Sequence, residues 1–486
     1  MSDVISLANQ IAATKENIRQ AIEDRGVSIP ITTPLTDYPA KIAAIDTENT
    51  ASDLYIKDPN FDPATVNLVI PGNYGTISNG AFENNDTIET VDLQYVNTLC
   101  DEVFEGDTAL TSVTGNHLKY IGNDTFRGTS SLASFTNNHV KWIGNNAFHS
   151  SGVASVSVPN CEVIRGAAFM EADNLETVDI SSAKNIPSEC FYGCNILNDV
   201  SADSAKSIGA YAFNLAGNGA YSTYGTTYSL SFPNVESLGM GAFQDSNGLT
   251  SISLPKCLTI GNAAFYDCNN LSTINCTKVT DIEPSAFDNT NAIYTLNCPE
   301  CSSIGAYNFY NNPHRLNELT VGDGCIIGDH CFRYGVKKVN GKISRINSYF
   351  MSDLDYVGNI EIDIDLSELT YIGPRCFYNS TGGQRIDFKS QVVDLANLTT
   401  IDLYDSTRIF YTSNDGYSNV KKLWLRGDLV GTGGSWNGYR DACFKAFNTS
   451  TCHVYTDAAT KPSNWGNMLN YATWHFGATH EEFEEA

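Results

Sequence analysis

Basic residues are scarce in this chain: 29 lysines and arginines stand against 55 aspartates and glutamates, a net charge of −26 over 486 residues. Nucleic-acid binding needs a basic footprint that displaces counterions, so no nucleic-acid partner is expected. An anionic membrane surface is disfavoured for the same reason. Long apolar runs are missing too, and without a stretch of about 18 apolar residues no membrane insertion is expected. Residues 1–20 contain no basic run leading into an apolar block, so no secretion leader is expected there. The eight histidines never fall at His-Glu-x-x-His or comparable ligand spacing. A Gly-x-Ser-x-Gly elbow and a phosphate loop are also lacking. The chain therefore reads as a non-enzyme with no cofactor and no metal. A glycan-degrading enzyme is the remote alternative, because the carboxylate pair it needs is spatial and not sequential.

What the chain has in abundance is one repeated pattern. Ile143-Gly144-Asn145-Asn146-Ala147-Phe148 is one copy and Ile260-Gly261-Asn262-Ala263-Ala264-Phe265 another. Its phenylalanines fall at Phe82, Phe104, Phe126, Phe148, Phe169, Phe191, Phe213, Phe243, Phe265, Phe287, Phe309 and Phe332, in steps of 22, 22, 22, 21, 22, 22, 30, 22, 22, 22 and 23. Phe377 closes the last clear copy. A fixed period of this length with one strand-like segment per unit points to a solenoid of leucine-rich type. Within a unit, Ile252 and Leu254 alternate with Ser251 and Ser253, as a strand with one inward face requires. Pro255 then ends it. The half ending in Ala-Phe reads as a turn or short helical bend. Phenylalanine is expected to fill the wide end of the cross-section, stacked from coil to coil. Cys161, Cys257 and Cys301 stand where Val140, Val235 and Val279 stand in other coils, so the cysteines read as small buried hydrophobes and not as a disulfide framework.

Four stretches follow from this rhythm. Residues 1–46 carry an apolar stripe at helical spacing that includes Ile11, Ile18 and Ile22. They read as a helical module, either a cap on the first coil or a device for attachment or oligomerisation. Residues 47–76 are a lead-in with a first strand, residues 77–377 the solenoid, and residues 378–486 irregular repeats with an aromatic C-terminal cap. The step of 30 hides an insertion of eight residues within 216–228, where Tyr221, Tyr224 and Tyr228 give a recognition-loop composition. Trp436, Tyr439, Trp465, Tyr471 and Trp474 form either the terminal cap or a second binding surface, for glycans.

The copies Ile-Gly-x-x-Ala-Phe, each followed by a Leu-x-x-Ile/Val-x-Leu/Cys strand and often proline, resemble the BspA-like, or Treponema pallidum type, leucine-rich repeat. The resemblance covers residues 66–377. It implies an α/β-type solenoid with short parallel strands on one face, a helical N-terminal module and an atypical C-terminal cap. Members of that class are known mostly as surface adhesins and binding proteins. A second, shorter resemblance, over residues 9–45 with Pro34-Leu35-Thr36-Asp37-Tyr38-Pro39-Ala40-Lys41-Ile42, is to attachment segments of tailed-phage fibres. Together the two imply a virion protein (tail fibre, tail tip or head decoration) that displays a rigid solenoid for adhesion. Its expected partners are a host-surface glycan or protein and, through the N-terminus, other virion proteins, with a homo-oligomer possible in the same way. The alternatives are a bacterial cell-surface adhesin and a purely structural virion subunit.

Overall fold

The computed structural model describes residues 54–55, 64–72, 74–218, 227–351, 360–379, 386–402, 409–412, 419–432, 444, 447, 450–462, 465 and 469–485. Each coil contributes two short strands and a turn. The first strand is three residues long in most coils, as in Thr90–Asp92, Ser134–Thr136 and Thr177–Asp179. Its middle residue points inward, so Phe135, Val156, Val178 and Val200 pair in one register line. Its flanking Ser, Thr and Asp residues face outward. The second strand is only two residues long in most coils, as in Tyr120–Ile121 and Trp142–Ile143. Its isoleucine is buried. All strand pairs among the described residues are parallel, because every coil crosses each side in the same direction.

Two expectations are corrected by this arrangement. The fold is an all-parallel β-solenoid and not an α/β-type one, since the described residues hold a single helix, His480–Glu485. The strands also line two sides of the coil and not one. The expected helical module of residues 1–46 lies outside the described residues.

The Ala-Phe half is neither strand nor helix but a turn in which, in most coils, the residues two before and two after the phenylalanine have a left-handed backbone. Glu102, Asp124 and Asn146, two residues before the phenylalanine, have φ of 61°, 52° and 53°, and Asn84 and Ser150, two residues after it, have φ of 55° and 52°. Left-handed geometry costs an L-residue about 1–2 kcal/mol. Here it directs alternate N–H groups along the solenoid axis. Glu102 N donates to Asn123 O at 2.8 Å, Phe104 N to Thr125 O at 2.9 Å and Gly106 N to Arg127 O at 2.8 Å. Turn backbones buried between coils are thereby satisfied in the same way as strands.

Inside, the phenylalanines form a single column. Phe104, Phe126, Phe148, Phe169, Phe191, Phe213, Phe243, Phe265, Phe287, Phe309, Phe332 and Phe377 are all buried. Rings are near parallel from Phe82–Phe104 (5.5 Å between centroids, 8°) to Phe309–Phe332 (5.5 Å, 12°). They turn edge-on at Phe332–Phe350 and Phe350–Phe377, then stack again at Phe377–Phe410. The second-strand ladder likewise continues past Phe377, from Tyr371–Ile372 to Thr400–Asp402 and Val430–Thr432. It is interrupted once. Pro187 stands where Gly144, Arg165 and Gly209 each donate an N–H to the preceding coil, and proline has none. The sheet breaks there into a six-stranded part ending at Val163–Ile164 and a ten-stranded part starting at Ser207–Ile208.

The thirteen described cysteines are free, and all but Cys100 are buried. Burial pushes the thiols of Cys161, Cys257 and Cys452 from 9.0 up to about 12, and those of Cys190, Cys194, Cys268, Cys331 and Cys376 higher still. The unfolded chain ionises these thiols above pH 9 while the folded chain keeps them protonated. Unfolding then releases protons, so stability falls as pH rises from about 9 towards 12. Urea denaturation is expected to show a midpoint that drops steadily between pH 9 and about 11 and is flatter between pH 7 and 8. A midpoint unchanged across the alkaline range would contradict a core lined with protonated thiols.

Candidate functional site

The inserted loop is anchored by the residue expected to display it. Tyr228 is 5% exposed, so it is not an accessible contact, and that expectation is corrected. Its hydroxyl donates to Ala216 O at 3.1 Å, joining the two ends of the insertion. Gly217, with φ of 64°, lies so close to the ring that an added Cβ would sit 2.1 Å from Tyr228 Cε1. Tyr221 and Tyr224 lie outside the described residues, as do Trp436, Tyr439, Ile11, Ile18 and Ile22. Of the remaining C-terminal aromatics, Trp465 is fully buried and belongs to the core. Trp474 is half-buried, donates Nε1 to Leu469 O at 3.1 Å and stacks on Phe476 at 5.3 Å. Tyr471 is the most exposed of them, at 72%. The expected C-terminal aromatic surface is thus reduced, among described residues, to the Tyr471, Trp474 and Phe476 group.

The concave feature beside the insertion was signalled by a different irregularity, the step of 21. After Phe126, Phe169 and Phe191 the next branched aliphatic core residue comes six positions on, at Leu132, Leu175 and Leu197; after Phe148 it comes at five, at Val153. The shorter turn pulls the edge of that coil inward. Gly152 makes this possible, since a Cβ there would lie 2.0 Å from Ser130 O. The result is a cleft of about 530 Å³ along the turn edge of five coils. Ser130, Ser151, Glu171, Asp173, Tyr192 and Asn195 are among its lining residues, and Leu215, next to the start of the insertion, closes one end.

Its floor holds an orphan. In several other coils the residue three after phenylalanine caps a backbone carbonyl: Thr129 Oγ1 donates to Phe126 O at 2.7 Å, Cys194 Sγ to Phe169 O at 3.0 Å and Cys268 Sγ to Phe243 O at 2.9 Å. Ser151 holds that place in the shortened turn, is 3% exposed, and its Oγ has no hydrogen-bond partner among the described residues. A buried hydroxyl without a partner costs about 1–3 kcal/mol. Around it the walls are polar. Asn195 Nδ2 donates to Asp173 Oδ1 at 2.7 Å, and Ser150 Oγ lies 3.5 Å from Glu171 Oε2. His149 Nε2 lies 3.7 Å from the same carboxylate oxygen. Burial pulls the His149 imidazole below its usual range, with Glu171 opposing, so it is a hydrogen-bonding group and not a fixed cation. Hydroxyls, carboxylates and one half-buried tyrosine face suit a ligand rich in hydroxyl groups. No group of three or more potential metal-ligating side chains is found among the described residues.

Comparison with known proteins places this geometry in a family. The BspA type leucine-rich repeat region, a six-copy unit, matches residues 54–151, 97–218, 214–339 and 337–409. No curated protein matches the chain. Among solved structures it is similar to the leucine-rich repeat protein of Treponema pallidum (20% identity, 32% of this chain and 79% of that one, TM-score 0.31). It is also similar to a leucine-rich cell surface protein from Faecalibacterium prausnitzii (16%, 73% and 91%, 0.28) and to the pneumococcal vaccine antigen PcpA (13%, 88% and 92%, 0.28). None of these is a virion component. The expected virion location is therefore corrected, and the phage-fibre resemblance of residues 9–45, which lie outside the described residues, gains no support.

Proposed function

The chain belongs to the BspA-type leucine-rich repeat family, and from that premise we propose that it is a bacterial cell-surface adhesin that takes a surface glycan or protein non-covalently into the cleft beside its inserted loop. As a member of that family it is a non-catalytic scaffold. The reading rests chiefly on the polar cleft that adjoins the insertion, with the Glu171 and Asp173 carboxylates and the half-buried Tyr192 among its lining residues. A neutral oligosaccharide suits both halves of the contact: its hydroxyls reach Glu171 and Asp173, and a sugar face lies on Tyr192. Within this proposal residues 77–377 are the stiff display element, residues 47–76 lead into it, residues 378–486 cap it, and residues 1–46 attach it or join copies of it.

The test is binding of the full chain to a printed array of neutral oligosaccharides, alongside the Tyr192→Ala and Asp173→Ala variants. Asp173 is exposed and Tyr192 half-buried, so melting temperatures should fall by no more than a few degrees from the parent. Each variant is expected to weaken binding about tenfold. Binding that survives both changes would remove the cleft as the site. Silence on every sugar, with capture of a single host protein lost in the same variants, would assign the cleft to a protein ligand.

A further inference from the structure

Although the chain carries a net charge of −26, five of its cations gather on one side of a few consecutive coils. Lys119, Lys141, Lys184 and Lys206 occupy one column at the entry to the second strand, and Arg165 lies just beyond that strand. The column is tied by backbone hydrogen bonds at every step: Lys141 N to Lys119 O at 2.8 Å, Glu162 N to Lys141 O at 3.1 Å, Lys184 N to Glu162 O at 3.1 Å and Lys206 N to Lys184 O at 2.8 Å. At about 4.8 Å per coil, Lys119 to Lys206 spans roughly 19 Å. Asn97 precedes the column and Glu236 follows it, so the strip has ends. The four lysines are exposed. Glu162 lies between two of them, 3.9 Å from Lys141 Nζ and 3.1 Å from Lys184 Nζ, and Glu236 is 3.0 Å from Lys206 Nζ. Ion pairs this exposed hold weakly and open to a stronger anion.

Aromatic rings run beside the charges. Tyr120 and Trp142 are in register on adjacent second strands and both are half-buried. The Arg165 guanidinium carbon sits 5.9 Å from the Trp142 ring centroid. In the turns leading to the column, Tyr95 is 58% exposed and lies 5.0 Å from the His117 ring, and His139 is exposed one coil on.

We propose that this strip binds an acidic polysaccharide, a chain bearing carboxylate or sulfate groups, laid along the solenoid axis across these coils. The surface is an open sheet side with no enclosing walls, which suits a polymer better than a small anion. Cations in a column interrupted by one glutamate match a polymer with separated charges. A polyphosphate, with its denser charge, would meet the repulsion of the rest of the acidic molecule. The rings beside the lysines give sugar faces an apolar platform that an acidic peptide would leave unused. This site lies on a different side of the coil from the cleft and does not depend on it.

The experiment measures retention of the full chain on immobilised heparin and on immobilised polygalacturonate, with dextran and a single-stranded oligonucleotide as comparisons. We expect binding to at least one acidic glycan, released by raised salt, none to dextran, and a change in tryptophan fluorescence on binding that is lost in Trp142→Phe. Preference for heparin assigns sulfate as the recognised group, and preference for polygalacturonate assigns carboxylate. The K119E/K141E variant, and separately K184E/K206E, should each bind at least about tenfold more weakly with unchanged melting temperature. Tyr192→Ala, in the cleft, should bind acidic glycans as the parent does. No retention on either acidic glycan, equal retention of both charge-reversed variants, or tighter binding of the oligonucleotide would each overturn the proposal.

Discussion

Replacing Phe213 by alanine is expected to cost about 3–5 kcal/mol, as for other large aromatic-to-alanine changes in packed cores. The side chain is fully buried and has ring neighbours on three sides: Phe191 at 5.1 Å, Phe243 at 4.8 Å and Phe232 at 5.8 Å. Collapse into the vacated space is blocked. Phe191 and Phe243 are held in register by backbone hydrogen bonds from Phe191 N to Ala212 O and from Phe213 N to Ala242 O, both at 2.7 Å, and those bonds would have to shorten or break for the rings to close. The loss should also be local. A solenoid's stability is a sum of coil terms and nearest-neighbour terms, so weakening one interface lets coils open there first. Hydrogen exchange is the measurement that separates this from global softening. Amides of the flanking turns, such as Phe191 and Gly241, are expected to exchange faster by orders of magnitude, while those near Phe104 and Phe332 change little. Uniform acceleration along the chain would show that the column is not the local unit of cohesion.

That column was the part of the fold most legible in the sequence, because one residue type meets the same environment in every coil. The second sheet was not legible, since strands of two residues are too short to show alternation. The turn geometry was hidden for a different reason. Its left-handed positions hold Glu102, Ala167, Tyr211 and Leu215, residues with no preference for that conformation; the stack and its axial hydrogen bonds impose it. Tyr228 was misread by composition. It ends a Gly-, Thr- and Tyr-rich insertion, yet its partner in the adjacent coil is the buried Leu249, reached through a register shift between Tyr228 and Ser229. The cleft had a signal, the single step of 21, which only gains meaning when the coils before and after are superposed. The cationic strip had one too: His-x-Lys-aromatic-Ile-Gly occurs at residues 117–122 and again at 139–144, where a net charge summed over the chain conceals it.

A single methyl group added at Gly144 is expected to destabilise the protein by about 4 kcal/mol or more, while the same change at Gly166 should be neutral or stabilising by a few tenths. At Gly144 a Cβ would lie 2.5 Å from the Gly122 carbonyl carbon and 2.6 Å from Asn123 N. Both are backbone atoms of the preceding coil, so no side-chain rotation relieves the overlap and the coils must separate. Separation strains the 2.9 Å bond from Gly144 N to Ile121 O and, two residues earlier, the lysine column's register through Trp142 N and Lys119 O. At Gly166 the nearest atoms to a built Cβ are 3.6 Å away, ordinary contact, and the backbone is not left-handed. There the substitution acts mainly by reducing the freedom of the unfolded chain. The repeat motif points the same way: Gly144 holds the place of Gly122, Gly209 and Gly261, whereas Gly166 holds the place of Asn123, Asn145 and Ala210, yet Arg165 shows that one coil admits a side chain at the first of these places. What decides is how close each pair of coils has been drawn at that place. Urea denaturation of Gly144→Ala and Gly166→Ala side by side checks it, and equal midpoints would mean that the coils yield to a methyl group without cost.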